Sequence, residues 1–289
     1  MLRSLASTFF LSIALISAAP VAAAPFSFST GNPDGKIGTT SRPSSAGKIE
    51  TETGDDFILT APTNINQATF VGLLTNGATV SNLHLEMYRV FPEDSNVGRT
   101  SGSPDFSTPQ VPTRVNSPSD VAFEERDAGA GDFTFTTQVL NNNFTVSNSV
   151  INGINPKPNQ FTGGDGPATG QEVLFTVSFS NPFSLPTDHY FFIPQVGVNS
   201  GEFLWLSAAK PIVGGTGPFL PDLQSWIRNE DLAPDWLRIG TDITHQGPFN
   251  AAFSLSGTEV PEPGTLALFG FGLILLARIS RGKQQEAAR

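Results

Sequence analysis

Residues 172–180 read EVLFTVSFS. In an extended chain Val173, Phe175, Val177 and Phe179 fall on one side, and Leu174, Thr176 and Ser178 on the other. Successive side chains of a strand point to opposite faces, so this period of two predicts a strand with one face turned to a core. The alternation returns in 131–140 (GDFTFTTQVL), which aligns Phe133, Phe135, Thr137 and Val139. In 82–90 (NLHLEMYRV), Leu83, Leu85 and Met87 stand against His84, Glu86 and Tyr88. In 142–150 (NNFTVSNSV), Phe144, Val146, Asn148 and Val150 share a side. Residues 56–60, 68–74, 190–198, 203–207 and 252–256 are further strand candidates. Turn-forming runs separate them, among them TNGAT (75–79), TGGDGPATG (162–170) and VNSGE (198–202).

Strands with one apolar face, close turns and little helical periodicity imply an all-β fold, an antiparallel β-sandwich of jelly-roll type. No repeat with a period of about 20–50 residues is present, which argues against a propeller. Two stretches depart from the pattern. Residues 92–120 form a long, polar, proline-rich loop, and such loops are commonly functional or disordered. In 211–247, Leu223, Trp226, Ile227 and Leu232 recur at helical spacing, which predicts one or two short helices capping an end of the sandwich. Residues 24–47, rich in Ser, Thr and Gly, read as a flexible or edge segment ahead of a sandwich domain at 48–258.

Composition agrees with short strands and turns. Gly (28) and Pro (23) are abundant, Phe (24) far outnumbers Tyr (2), and only 15% of residues are charged. Cysteine is absent, so a core rather than disulfides must hold the fold, and export remains compatible with that. The net charge of −10 understates the acidity of the middle, where residues 25–259 carry 11 Lys and Arg against 24 Asp and Glu. An acidic body without a basic cluster repels nucleic acid and anionic lipid, so neither is expected as a partner of the domain.

Both ends carry addresses. Arg3, an apolar run at 5–16 and small residues up to Ala24 have the layout of a secretory signal peptide, with cleavage expected after Ala23. Export machinery and signal peptidase are the implied partners, and an N-terminal signal helix the implied structure. At the other end, residues 265–277 are uncharged. A helix of that length covers roughly 20 Å of a hydrocarbon core about 30 Å thick, so it predicts a short transmembrane helix that anchors weakly. The basic residues beyond it stay on the cytoplasmic side, which leaves the body outside.

The tail combines Pro261, Glu262 and Pro263, the apolar stretch 266–277, and the basic Arg278, Arg281 and Lys283. In this order it resembles the PEP-CTERM sorting signal of Gram-negative bacteria, also described as the ice-binding protein C-terminal domain. The resemblance covers 259–289 only. It implies exosortase as the processing partner, an inner-membrane intermediate, and delivery to the cell surface or the exopolysaccharide matrix. Pro261 and Pro263 also interrupt regular structure, which keeps the processing site extended. The stretches FFIPQVGV (191–198), FLWLSAAKPIV (203–213) and DLQSWIRNEDLAPDWLRIGTD (222–242) resemble uncharacterised secreted β-rich proteins with the same tail. They imply architecture and location but no activity.

The body offers three kinds of chemistry. His84, His189 and His245 are scattered, and neither a zinc-protease helix motif nor a nucleophile elbow is present, so no catalytic residue is singled out. Glu124–Glu125 and Asp55–Asp56 are the first paired carboxylates to consider for sugar hydrolysis. Asp55, Asp56, Asp127, Asp132 and Asp165 lie in or beside Gly-rich turns, where hard cations find oxygen ligands. Calcium is therefore the one metal considered, and no other cofactor is expected. Trp205, Trp226 and Trp236, the only tryptophans, are the candidates for stacking on a sugar ring. The resulting expectation is an exported, non-enzymatic structural or adhesive protein of the exopolysaccharide. The alternatives are a surface hydrolase or esterase and a calcium-dependent carbohydrate-binding module.

Overall fold

Two sheets face one another across a core built largely of phenylalanine. In this computed structural model the described residues are 23–261, apart from 46, 76, 97–110 and 155–160, together with Gly272. The chain divides into two units. Residues 24–260 form one, and the termini, 1–23 with 261–289, form the other. The second unit lies almost wholly outside the described residues, and so do the expected signal helix, the short transmembrane helix, and Glu262, Pro263, Arg278 and Arg281. Among the described residues no helix is long and apolar enough to cross a membrane.

The larger sheet holds nine strands. They are β1 (Pro25–Ser29), β2 (Pro33–Thr40), β4 (Thr63–Thr75), β7 (Phe133–Val146), β8 (Asn148–Val150), β9 (Ala168–Leu185), β11 (Phe203–Ala208), β14 (Asn250–Ala251) and β15 (Phe253–Glu259). β4 is its spine. One edge of β4 pairs with β9, and β9 with β7. The other edge pairs with β15 and then with β11. The smaller sheet runs β13 (Leu237–Arg238), β12 (Trp226–Asn229), β3 (Thr51–Leu59), β10 (Asp188–Val198), β5 (Val80–Arg89), β6 (Glu124–Asp127). Every pairing is antiparallel except β2 with β8.

The alternation in EVLFTVSFS has the predicted meaning. Val173, Phe175 and Val177 are buried from the larger sheet, and Leu83, Leu85 and Met87 meet the same core from the smaller one. The rings of Phe70 and Phe175 stack at 4.6 Å, with Phe203 edge-on at 5.4 Å to Phe175. Gly72 makes room for this cluster, because a Cβ there would stand 2.1 Å from Phe203 Cε2.

One expectation needs correction. The capping helices in 211–247 do not form. That stretch holds β12, β13 and one π-helical turn, Ile239–Ile243. Trp226 and Ile227 are both buried, in clusters on opposite sides of β12, so adjacent apolar residues of a strand covered on both sides imitate helical spacing. In the segment read as flexible or edge, Pro25–Ser29 and Pro33–Thr40 are strands. Phe26 and Phe28 alternate into the core from β1, an edge strand that pairs with β15, and β2 joins β11.

Candidate functional site

On β5, Leu83, Leu85 and Met87 point into the core, so His84, Glu86 and Tyr88 must share the outer face. That face is not bare. Residues 111–122 and the segment around Trp236 lie across its middle. Trp236 Nε1 donates to Ser119 O at 2.9 Å, and the fully buried Arg114 bonds Asp235 at 3.0 Å. Beneath this cover Arg228 of β12 grips Glu52, its cross-strand partner on β3, through Nε and through Nη2 at 2.9 Å. Tyr88 donates to the same carboxylate at 2.8 Å. The guanidinium lies 4.4 Å from the Trp236 ring.

Toward β6 the cover ends and a polar group gathers by register. β5 and β6 set His84 opposite Asp127 and Glu86 opposite Glu125, and β5 and β10 set Gln195 opposite His84. His84 Nε2 lies 3.4 Å from Glu86 Oε1 and 3.6 Å from Glu125 Oε2, and its Nδ1 lies 3.4 Å from Asp127 Oδ2. Glu86 is 7% exposed, and Gln195 Nε2 donates to its Oε2 at 3.0 Å. The Glu125 side chain is 70% exposed. Burial pushes the Glu86 carboxyl up to about 7, against the pull of His84 and with the help of nearby Glu52. The Glu86 side chain beside its ring lifts His84 to about 9, with Glu125 and Asp127 adding to the effect. Asp127 is held below the usual range. Partial burial works the other way, and the Asn82 amide, the Gly129 and Ala130 N–H groups and His84 outweigh it. Among the described residues this is the grouping of His and carboxylate side chains close enough to share a metal ion: His84, Glu86 and Glu125.

The five aspartates proposed for calcium do not converge. Asp55 and Asp56 are neighbours on β3 and therefore point to opposite faces. Asp55 is fully buried, accepting from Ser225 Oγ at 2.9 Å and Ala251 N at 2.8 Å. Asp56 holds His189 Nε2 at 2.7 Å. Asp127 and Asp132 close the turn between β6 and β7, Asp127 accepting from Gly129 N and Asp132 from Asp127 N. Asp165 accepts from the N–H groups of Ile151, Asn152 and Gly153. Asp127 and Asp132 serve their own turn and Asp165 the turn at 151–153, the usual work of Asp in such places, while Asp55 and Asp56 bond to residues of other segments.

The tryptophans are not platforms. Trp205, Trp226 and Trp236 are at most 1% exposed, and a sugar needs an open ring face. Trp205 Nε1 bonds Ala252 O inside the core. Trp226 lines a cleft of about 370 Å³ together with Asn116, Lys210, Asp222, Gln224 and Arg238. The Trp226 indole N–H has no hydrogen-bond partner, while Lys210 pairs with Asp222 at 2.7 Å and Arg238 with Asp242. Glu124 pairs with Arg126, so Glu124 and Glu125 do not act as a couple.

Sequence reasoning alone does not single out the His84 group. His84-x-Glu86 on a strand already places both side chains on one face, but Glu125 and Gln195 reach it only through strand register.

Residues 259–281 match the family model of the PEP-CTERM protein-sorting motif. No curated protein matches the chain, and no solved structure matches it. The motif marks an exported protein processed by exosortase.

Proposed function

We propose that the domain is a non-catalytic protein of the cell surface or extracellular matrix, lodged among exopolysaccharide after its tail is processed. The observation that carries the reading is the sorting motif at 259–281, which follows directly on the last strand of an acidic domain. The uncharged stretch 265–277 serves as a brief inner-membrane hold before processing, because it is short for a lasting span. Most buried ionic groups of the described residues are committed to one another. Arg228 holds Glu52, Arg114 holds Asp235, and Asp56 holds His189, which suits a structural role better than an acid–base site. The cleft beside Trp226 is the place we assign to a saccharide, with Gln224 and Asn116 as amide partners for hydroxyl groups.

Intact mass of the protein from the envelope and matrix fractions of its native host tests the reading. Loss of both ends, near Ala23 and near Pro261, with recovery in the matrix fraction, is expected. A tail retained through Arg289 where the host's processing enzymes are active refutes it.

A further inference from the structure

We propose that His84, Glu86 and Glu125 bind a divalent first-row transition ion, with His84 Nε2, Glu86 Oε1 and Glu125 Oε2 as its protein ligands. Distance is the first argument. A charge-assisted hydrogen bond closes to about 2.7–2.9 Å. His189 and Asp56, elsewhere on the same sheet, do so at 2.7 Å. The His84 contacts stay open at 3.4 and 3.6 Å. Two ligands at about 2.0–2.2 Å from one tetrahedral ion stand roughly 3.3–3.6 Å apart, so the spacing fits a shared ion better than a shared proton.

The surroundings supply the second argument. On the far side of the ring Nδ1 faces Asp127 Oδ2 at 3.4 Å, from where the carboxylate can close on a metal-bound histidine and fix its orientation and tautomer. Gln195 holds Glu86 Oε2 and leaves Oε1 for the ion. Gln195 is fully buried, its amide lies against Glu86, and its Oε1 has no hydrogen-bond partner. An orphan buried acceptor is uncommon, and this one belongs to the side chain that holds Glu86. One imidazole with two carboxylates selects zinc or its neighbours over calcium, which prefers six or more oxygens. The site lies at the open end of the sheet face, where the exposed Glu125 leaves an entry path.

The test is a titration of the chelator-treated full chain in detergent with Zn²⁺, followed calorimetrically and by thermal shift, with Ca²⁺ in parallel. Glu125→Gln removes an exposed ligand without touching the core, and His84→Asn removes the nitrogen. The wild type should bind one Zn²⁺ tightly and Ca²⁺ far more weakly, and both variants should lose the Zn²⁺-dependent shift. Asp127→Asn should weaken Zn²⁺ about 10–100-fold without abolishing it. The proposal fails if the wild type takes up no Zn²⁺, if Ca²⁺ binds equally well, or if Glu125→Gln and His84→Asn bind as the wild type does.

Discussion

Arg228 joins the two parts of the smaller sheet's outer face, and replacing it tests how that face is held. It is 7% exposed, and Glu52 is 5% exposed. Its Nη2 bonds Glu52 Oε1 at 2.9 Å and the Tyr88 hydroxyl at 2.6 Å, and its Nη1 reaches Asp120 O at 3.0 Å. Arg228→Met keeps much of the side-chain volume against Trp236 and removes the charge. The Glu52 carboxylate then stays buried with the Tyr88 hydroxyl as its remaining strong donor. Removing one partner of a buried ion pair costs about 3–5 kcal/mol. At about 2–4 °C per kcal/mol for a domain of this size, the unfolding midpoint should fall by roughly 6–20 °C.

The double variant Arg228→Met/Glu52→Gln distinguishes the orphaned charge from lost packing. The introduced amide still accepts from Tyr88 and carries no charge to strand, so the double variant should recover most of the loss. Urea unfolding followed by tryptophan fluorescence suits the assay, because Trp226 and Trp236 flank the pair and are buried. A double variant no more stable than Arg228→Met alone would refute the reasoning. Packing around Arg228 would then account for the effect.

Three further outcomes follow from the same geometry. Burial, then the neighbouring Asp56, holds the Asp55 carboxyl well above the ordinary aspartate range. A raised folded value means that this group's stability contribution is full below the unfolded pKa and is lost as pH rises beyond about 4. Asp55→Asn can still accept from Ala251 N and can donate to Ser225 Oγ, so in denaturant melts across pH it should flatten that decline and be neutral or better at pH 7. Asp55→Ala orphans both partners and should lose about 2–6 kcal/mol, at roughly 1–3 for each unsatisfied group. Gly72→Ala drives a methyl group into the Phe203 ring and should lose about 1–3 kcal/mol, read as a lower denaturation midpoint, whereas Gly72→Ala/Phe203→Leu should regain part of it. Iodide should quench the tryptophan emission of the folded domain weakly, since all three indoles are enclosed, and strong quenching would contradict their burial.

The legible parts of the fold are those where one face of a strand is dry and the other wet. β9 meets that condition, and β5 keeps polar side chains on its covered outer face, so in both the alternation predicts which residues enter the core. β7 shows the first way the signal fails. Phe133 is buried, but Val139 is 45% exposed on an edge strand that pairs only with β9. β12 shows the second. It is covered on both faces, and its apolar residues next to one another imitate a helix. The tryptophans mislead for a related reason: an indole needs burial more often than it needs a ligand, and only the packed structure tells which it has.

The His84 group marks a different limit. His84 and Glu86 share a face by the arithmetic of a single strand, and that much is present in NLHLEMYRV. Glu125 comes back to the same face only after the long covering loop, and Gln195 only through a third strand. No spacing within one segment encodes such a meeting, since it depends on which strands pair and in what register. The calcium expectation errs in the opposite sense. It takes acidic residues near glycines as convergent, whereas Asp127, Asp132 and Asp165 are near glycines because their carboxylates satisfy the N–H groups of tight turns. Held by their own turns, these carboxylates stand apart from one another and share no ion. Carboxylates placed across strands, as Glu86 and Glu125 are, have no such local partner, and their loose approach to one imidazole is why the metal is sought there.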